Sequence, residues 1–141
     1  MKKLLFILLI LSVAFIFHSK ASANIHRAHY NVIADSTQKK IKHPTEAMTD
    51  AQLNTILSHM QQKANDTEKI EVLKSGIAGN GITVEQLIQL LNQFLTDDAK
   101  LTSTEYAYPY TVNYKAILKV QDIFASEEPK AALQEFLKKN K

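Results

Sequence analysis

The feature that most constrains this chain is an amphipathic pattern that begins with its own helix cap. Residues 49–60 read Thr-x-x-Gln-Leu-x-x-Ile-Leu-x-x-Met, and residues 83–94 follow the same pattern with Thr-x-x-Gln-Leu-x-x-Leu-Leu-x-x-Phe. In such a capping box, the Thr hydroxyl and the Gln side chain each satisfy a free backbone N–H group at the helix start. The apolar residues that follow share one face at helical spacing. The pattern therefore predicts α-helices with one buried face.

Similar signals predict six short helices, with starts at Thr49, Asn65, Thr83, Thr96, Val112 and Ser126. The second helix should end in the glycine-rich run 76–81, the fourth at Pro109 and the fifth near Phe124. We expect an all-α fold of three stacked helical hairpins, a compact and repeat-like bundle, because each hairpin has an apolar face that it cannot bury alone. Internal repetition is one interpretation of the matching spacings, and chance similarity between capped amphipathic helices is the other.

Residues 1–23 have the composition of a cleavable secretory signal peptide. Lys2 and Lys3 precede an apolar run at 4–17 that is too short to span a membrane, and the segment ends in Ala-x-Ala. We expect an exported protein, periplasmic or extracellular, without stable membrane insertion after cleavage; an uncleaved anchor is the alternative. Cleavage would remove three of the 17 Lys and Arg residues and leave 14 against 14 acidic residues. This balance argues against a nucleic-acid partner.

The remaining chain divides into two parts by composition. Residues 24–48 hold few large apolar side chains and are expected to form a flexible leader, whereas residues 49–141 form the helical domain. The chain contains no cysteine. Packing rather than disulfides must therefore hold the domain together, although an exported protein could carry disulfides.

Several short motifs in the helical domain resemble the bacterial family catalogued as domain of unknown function 4476. They are Asp66-x-x-Lys69-Ile70, residues 82–87, residues 94–101, Tyr108-Pro109 and Asn113-Tyr114. The resemblance covers residues 53–141. It implies an exported, all-helical protein, and it brings no catalytic or binding residues with it.

Recognisable catalytic motifs are missing from the sequence. The helical domain contains a single histidine, His59, and no cysteine or Gly-x-Ser-x-Gly motif, so a nucleophile oriented by a base is hard to assemble. The acidic pairs at 97–98 and 127–128 lie at predicted helix starts, where the helix dipole favours negative charge. We therefore expect a non-enzymatic protein-interaction module without a cofactor; a helical enzyme of unrecognised type is an alternative.

Two features are candidate binding sites. Tyr106 and Tyr110 flank Pro109 without an assigned place in the core, and exposed tyrosines often anchor a protein or peptide partner. Cleavage after residue 23 would place a histidine third from a free amine, as Asn24-Ile25-His26, with His29 close by. Four nitrogens in a plane suit Cu(II) or Ni(II), so a metal-binding exported protein is a further alternative.

Overall fold

The structure, a computed structural model, describes residues 40–140. Its α-helices are α1 (Asp50–Gln61), α2 (Asp66–Ile77), α3 (Val84–Leu91), α4 (Asp97–Ala107) and α5 (Glu127–Lys139). A 3₁₀ turn (Tyr108–Tyr110) extends α4, and a ten-residue 3₁₀ helix (Tyr114–Ile123) precedes α5. The all-α prediction is confirmed for this part of the chain. The predicted signal peptide, and the predicted leader as far as residue 39, lie outside the described residues.

Local capping explains where the helices start. Thr49 with Gln52 and Thr83 with Gln86 each form the predicted capping box, with Thr49 N–H donating to Gln52 Oε1 at 2.9 Å. The side chain of Asn65 caps α2 by accepting from the backbone N–H of Glu68. These predicted helix starts are therefore confirmed.

The helices pair as three hairpins, and the hairpins stack in two layers. The pairs are α1 with α2, α3 with α4, and the 3₁₀ helix with α5. In one layer α3 lies between α1 and the 3₁₀ helix, and in the other α4 lies between α2 and α5. The middle hairpin thus contacts both of its neighbours, which places its large apolar side chains at the centre of one continuous core. Among the residues with no exposed surface are Leu87, Leu90 and Leu91 of α3.

A close approach within the first hairpin requires a glycine. A Cβ atom at Gly76 of α2 would lie 2.6 Å from Cγ1 of Ile56 in α1, which is too short for two carbon atoms. Gly76 therefore allows α1 and α2 to pack tightly at the end of α2.

Acidic residues at the start of one hairpin's second helix link that hairpin to the next. Asp66 accepts hydrogen bonds from the backbone N–H groups of Leu95 (3.0 Å) and Thr96 (2.9 Å) and from the Thr96 hydroxyl (2.8 Å). In the same way, Asp97 accepts from the N–H groups of Ala125 (2.8 Å) and Ser126 (3.0 Å). Each carboxylate therefore satisfies backbone N–H groups in the loop before the second helix of the following hairpin.

A lysine three residues later adds a second link of the same kind. Lys69 Nζ donates to the carbonyl of Gln93 at 2.7 Å, and Lys100 Nζ donates to the carbonyl of Ile123 at 3.0 Å. The Asp-x-x-Lys spacing places both side chains on one helix face. The same contacts join the first hairpin to the second and the second to the third. Internal repetition of the sequence stays a prediction.

The fifth predicted helix differs in type from the expectation, because residues 114–123 form a 3₁₀ helix rather than an α-helix. Its backbone begins with the N–H of Ala116 donating to the carbonyl of Asn113 at 2.9 Å. A 3₁₀ helix has three residues per turn, so side chains at i and i+3 lie on one face. Four of the side chains that pack on the core follow that period, namely Tyr114, Ile117, Val120 and Ile123.

The last nine residues of the predicted leader, 40–48, pack on the helical domain, in contrast to the expectation of a flexible segment. Met48 is buried, its N–H donates to the carbonyl of Gly81 at 2.7 Å, and its carbonyl accepts from Gln86 Nε2 at 2.9 Å. The fit needs a glycine, since a Cβ at Gly81 would collide with the carbonyl oxygen of Glu46. The packed domain therefore includes these residues.

An isolated parallel β-bridge between Ile82 and Thr111 joins the α2–α3 connection to the segment that precedes the 3₁₀ helix. Ile82 N–H donates to the carbonyl of Tyr110, and Val112 N–H donates to the carbonyl of Ile82, both at 2.9 Å. The bridge places residues 110–112 beside the α2–α3 connection, whose Gly81 carbonyl binds the N–H of Met48.

None of the helices within residues 40–140 is long and apolar enough to cross a bilayer.

Candidate functional site

The packed N-terminal segment, the 3₁₀ helix and the end of α5 enclose a cleft of about 430 Å³. Its apolar lining is provided by Ile41, Ile117, Leu118 and Leu137. Leu118 is 50% exposed, although most large aliphatic side chains of the described residues are buried. The cleft therefore offers apolar surface that the domain itself does not cover.

Three rings form the aromatic side of the cleft. The imidazole of His43 stacks on Tyr114 with ring centroids 3.7 Å apart and an interplanar angle of 7°. Tyr108 meets the edge of His43 at 5.1 Å and also packs edge-on against Phe136 of α5 at 5.6 Å. Aromatic packing thus fixes the N-terminal segment, the turn after α4 and α5 around the cleft.

A backbone contact holds His43 in this position. Its Nδ1 lies 3.1 Å from the carbonyl oxygen of Thr111, so the neutral tautomer with a proton on Nδ1 makes a hydrogen bond there. Burial lowers the pKa of His43 and outweighs the opposing effect of the carbonyls of Thr111 and Tyr108. Burial also raises the pKa of Tyr108, and the neighbouring Tyr114 adds to that effect. Both rings are therefore neutral at neutral pH.

Within residues 40–140, the polar groups that line the cleft carry positive charge or none. Lys40 and Lys115 line it, together with Asn140, whose Nδ2 donates to the carbonyl of Phe136 at 2.8 Å. The described residues that line the cleft include no carboxylate, serine or cysteine. Chemically, this arrangement can hold an apolar group and attract a negative one.

A second depression, of about 320 Å³, lies between α1 and α2 and has a different character. Its lining includes the polar side chains of Gln52, Thr55, His59 and Ser75. Both Thr55 and Ser75 already donate to carbonyls of their own helices. This depression therefore offers less apolar surface and fewer available polar groups than the cleft.

The predicted partner-binding residues Tyr106 and Tyr110 lie outside both of these depressions. Their rings pack against each other, with centroids 5.5 Å apart, and both are partly buried against the core. The ammonium of Lys74 lies 5.6 Å from the centre of the Tyr106 ring, within range of a cation–π contact. Their role in partner binding stays a prediction.

The predicted metal ligands Asn24, His26 and His29 lie outside the described residues, so that site also stays a prediction. Within residues 40–140, no group of three or more His, Cys, Asp or Glu side chains is placed to hold a metal ion. His59, the histidine of the helical domain, is exposed on α1.

Sequence reasoning missed the principal residues of the cleft. His43 fell in the predicted leader, and Lys115 and Leu118 had no assigned role. The available signal was the occurrence of Ile41, His43 and Met48 just before the first helix cap, in a segment otherwise poor in large apolar residues.

No curated protein and no solved structure matches the chain significantly. The family model described as "Domain of unknown function (DUF4476)" matches residues 47–137. The match contains Tyr108 and Tyr114 of the cleft and both of the aspartates that link the hairpins. It also covers more than half of the 141 residues, so the chain belongs to the DUF4476 family.

Proposed function

We propose that this chain is an exported, non-enzymatic interaction module that binds a protein or peptide partner in the cleft beside His43. The observation that carries the proposal is the open apolar cleft, in which Leu118 stays half exposed beside the stacked rings of His43 and Tyr114. A volume of about 430 Å³ lies within the usual range of about 300–1,000 Å³ for ligand pockets. Binding rather than catalysis is favoured because the lining residues described by the structure include no serine, cysteine or carboxylate.

A pair of exposed leucines provides a direct test. Leu118 lines the cleft, whereas Leu95, which is 78% exposed, lies outside it in the loop before α4. The protein purified after expression of the full chain would be used to select binders from a random peptide library. We expect Leu118→Asp to abolish the enrichment, because a carboxylate would enter the apolar lining. Leu95→Asp should leave it unchanged, and equal enrichment by both variants would contradict the proposal.

The export part of the proposal rests on the sequence of residues 1–23. Expression of the full chain in a bacterial host, followed by mass measurement of the protein in each cell fraction, tests it. We expect a periplasmic or extracellular product that starts at Asn24. An intact N-terminus in the cytoplasmic fraction would contradict export without affecting the role of the cleft.

A further inference from the structure

We infer that the ligand of this cleft is the C-terminal end of an apolar peptide, with its free carboxylate beside Lys40 and Lys115. This inference rests on the proposed function and specifies its partner. Three properties of the cleft lead to it: its size, the sign of its charge and a hydrogen-bond acceptor that accepts from no other group within residues 40–140.

The size of the cleft suits a short extended segment. The cleft is open to solvent on one side, and its volume of about 430 Å³ accommodates the last two or three residues of an extended chain. Ile117, Leu118 and Leu137 would contact apolar side chains of those residues.

The charge of the cleft favours a chain end over an internal segment. Lys40 and Lys115 line it, and none of its lining residues within 40–140 is acidic. An internal peptide segment with apolar side chains carries no charge to match them, whereas a C-terminus carries one negative charge. The ion pairs of Glu85 with Lys119 and of Glu127 with Lys130 involve residues that do not line the cleft.

An available acceptor favours a peptide over another apolar carboxylate. Asn140 uses its Nδ2 group in the hydrogen bond to the Phe136 carbonyl, while the Oδ1 atom of the same amide can still accept. A peptide supplies backbone N–H groups for this acceptor, and a fatty acid supplies none. We therefore commit to the peptide and treat the fatty acid as an outcome of the test.

The experiment compares two chemically matched peptide pools. Acetylated pentapeptides with Leu, Ile, Val, Phe or Met randomised at the last two positions are made once with a free carboxylate and once as C-terminal amides. Each pool is passed over the immobilised protein, purified after expression of the full chain, and the retained peptides are quantified by mass spectrometry. We expect the acids to be retained about tenfold more than the amides, since two charge-assisted contacts are lost in the amide.

A lysine pair tests where the carboxylate sits. Lys115→Gln should lower the retention of the acid pool about fivefold and leave the amide pool unchanged. Lys63→Gln is the matched control, because Lys63 is exposed and lies outside the cleft lining. A decrease of the acid pool that is equal in the two variants would point to a general charge effect and would overturn the inference.

The other outcomes separate this inference from the proposed function. Equal retention of acids and amides, with binding still abolished by Leu118→Asp, would overturn the C-terminal specificity and leave the interaction module intact. Retention of neither pool, together with saturable binding of decanoate in the cleft, would overturn both in favour of a lipid ligand. Retention of neither pool while the random library still yields cleft-dependent binders would overturn the inference alone.

Discussion

The middle and last hairpins begin their second helices with similar residues but use them differently. The middle hairpin has Thr96-Asp97 with Lys100, and the last has Ser126-Glu127 with Lys130. Asp97 is only 14% exposed and binds the loop ahead of α5, whereas Glu127 is 88% exposed and contacts Lys130 at 2.7 Å within its own helix. The same local motif therefore links two hairpins at Asp97 and makes a contact within its own helix at Glu127.

The environment of the linking carboxylates shows in their acidity. Burial alone would raise the pKa of Asp97, but hydrogen bonds from Ser126, Lys100 and Ala125 and the charge of Lys100 lower it overall. Asp66 behaves in the same way: burial opposes ionisation, and hydrogen bonds from Leu95 and Thr96 lower the pKa. Folding therefore favours the ionised form of both carboxylates.

The largest difference between the two hairpins is expected for apolar truncations. Leu90 of α3 has no exposed surface in the middle hairpin, so Leu90→Ala should reduce the free energy of unfolding by about 3–5 kcal/mol. Leu137 of α5 borders the cleft, so the space left by Leu137→Ala joins an existing opening. Its cost should be about 2 kcal/mol, near the lower end of the range for such truncations. Urea unfolding followed by circular dichroism measures both, and equal losses would contradict the comparison.

A smaller difference is expected for the acidic residues at the helix starts. Asp66→Ala leaves the N–H groups of Leu95 and Thr96 without their charged partner, and we expect a loss of about 1–3 kcal/mol. Glu127→Ala removes a carboxylate that is mainly in solvent, so the change should stay within about 0.5 kcal/mol. Thermal unfolding of the two variants compares them directly. A Glu127→Ala protein as unstable as Asp66→Ala would mean that the last hairpin carries a link not described above.

The helix caps distinguish the hairpins on a still smaller scale. The Thr96 hydroxyl accepts from the N–H of Ala99 and donates to Asp66, so Thr96→Ala should cost about 1 kcal/mol. No such cap is made by the side chain of Ser126, and Ser126→Ala should change stability by a few tenths of that, roughly 0.3 kcal/mol. Chemical denaturation at one pH and salt concentration resolves the two values. A loss at Ser126 equal to that at Thr96 would show that Ser126 caps α5 in solution.

The helix starts could be predicted because their causes are local. A capping box involves residues three positions apart, and Thr49 and Thr83 carry it in full. The 3₁₀ helix was misassigned because Ile117, Val120 and Phe124 also fit an α-helical stripe. The three-residue period from Tyr114 to Ile123 was nevertheless present in the sequence.

The cleft could not be predicted, because it depends on contacts between distant segments. His43 reaches the carbonyl of Thr111, and Glu46 lies against Gly81, which no local pattern reveals. Likewise, the linking role of Asp66 and Asp97 requires knowing which loop lies beside each helix start. Local propensity accordingly identified Asp97 as favourable at a helix start, and tertiary packing determined the partners of both aspartates.

The smallest effect is expected for Glu85, which links the middle and last hairpins at the surface. Its carboxylate accepts from Asn113 Nδ2 at 2.9 Å and pairs with Lys119 at 3.0 Å. Hydrogen bonds from Asn113, from the backbone and from Lys119 lower the pKa of Glu85 to about 2. A lowered pKa means that the stabilisation is present above the ordinary value of 4.5 and is lost as the pH falls towards 2.

Because the side chains of Lys119 and Glu85 are 60% and 54% exposed, solvent screening should limit this contribution to less than about 1 kcal/mol. We therefore expect Glu85→Gln to be slightly less stable than the unmodified protein at pH 6, with most of the difference lost at pH 2. Urea unfolding at both pH values in low salt measures the double difference, and addition of 1 M salt at pH 6 should reduce it. A difference that persists undiminished at pH 2 would mean that shape, rather than charge, makes Glu85 useful at this junction. Asn113→Ala, which removes the other hydrogen-bond partner of Glu85, should then lower the stability at both pH values.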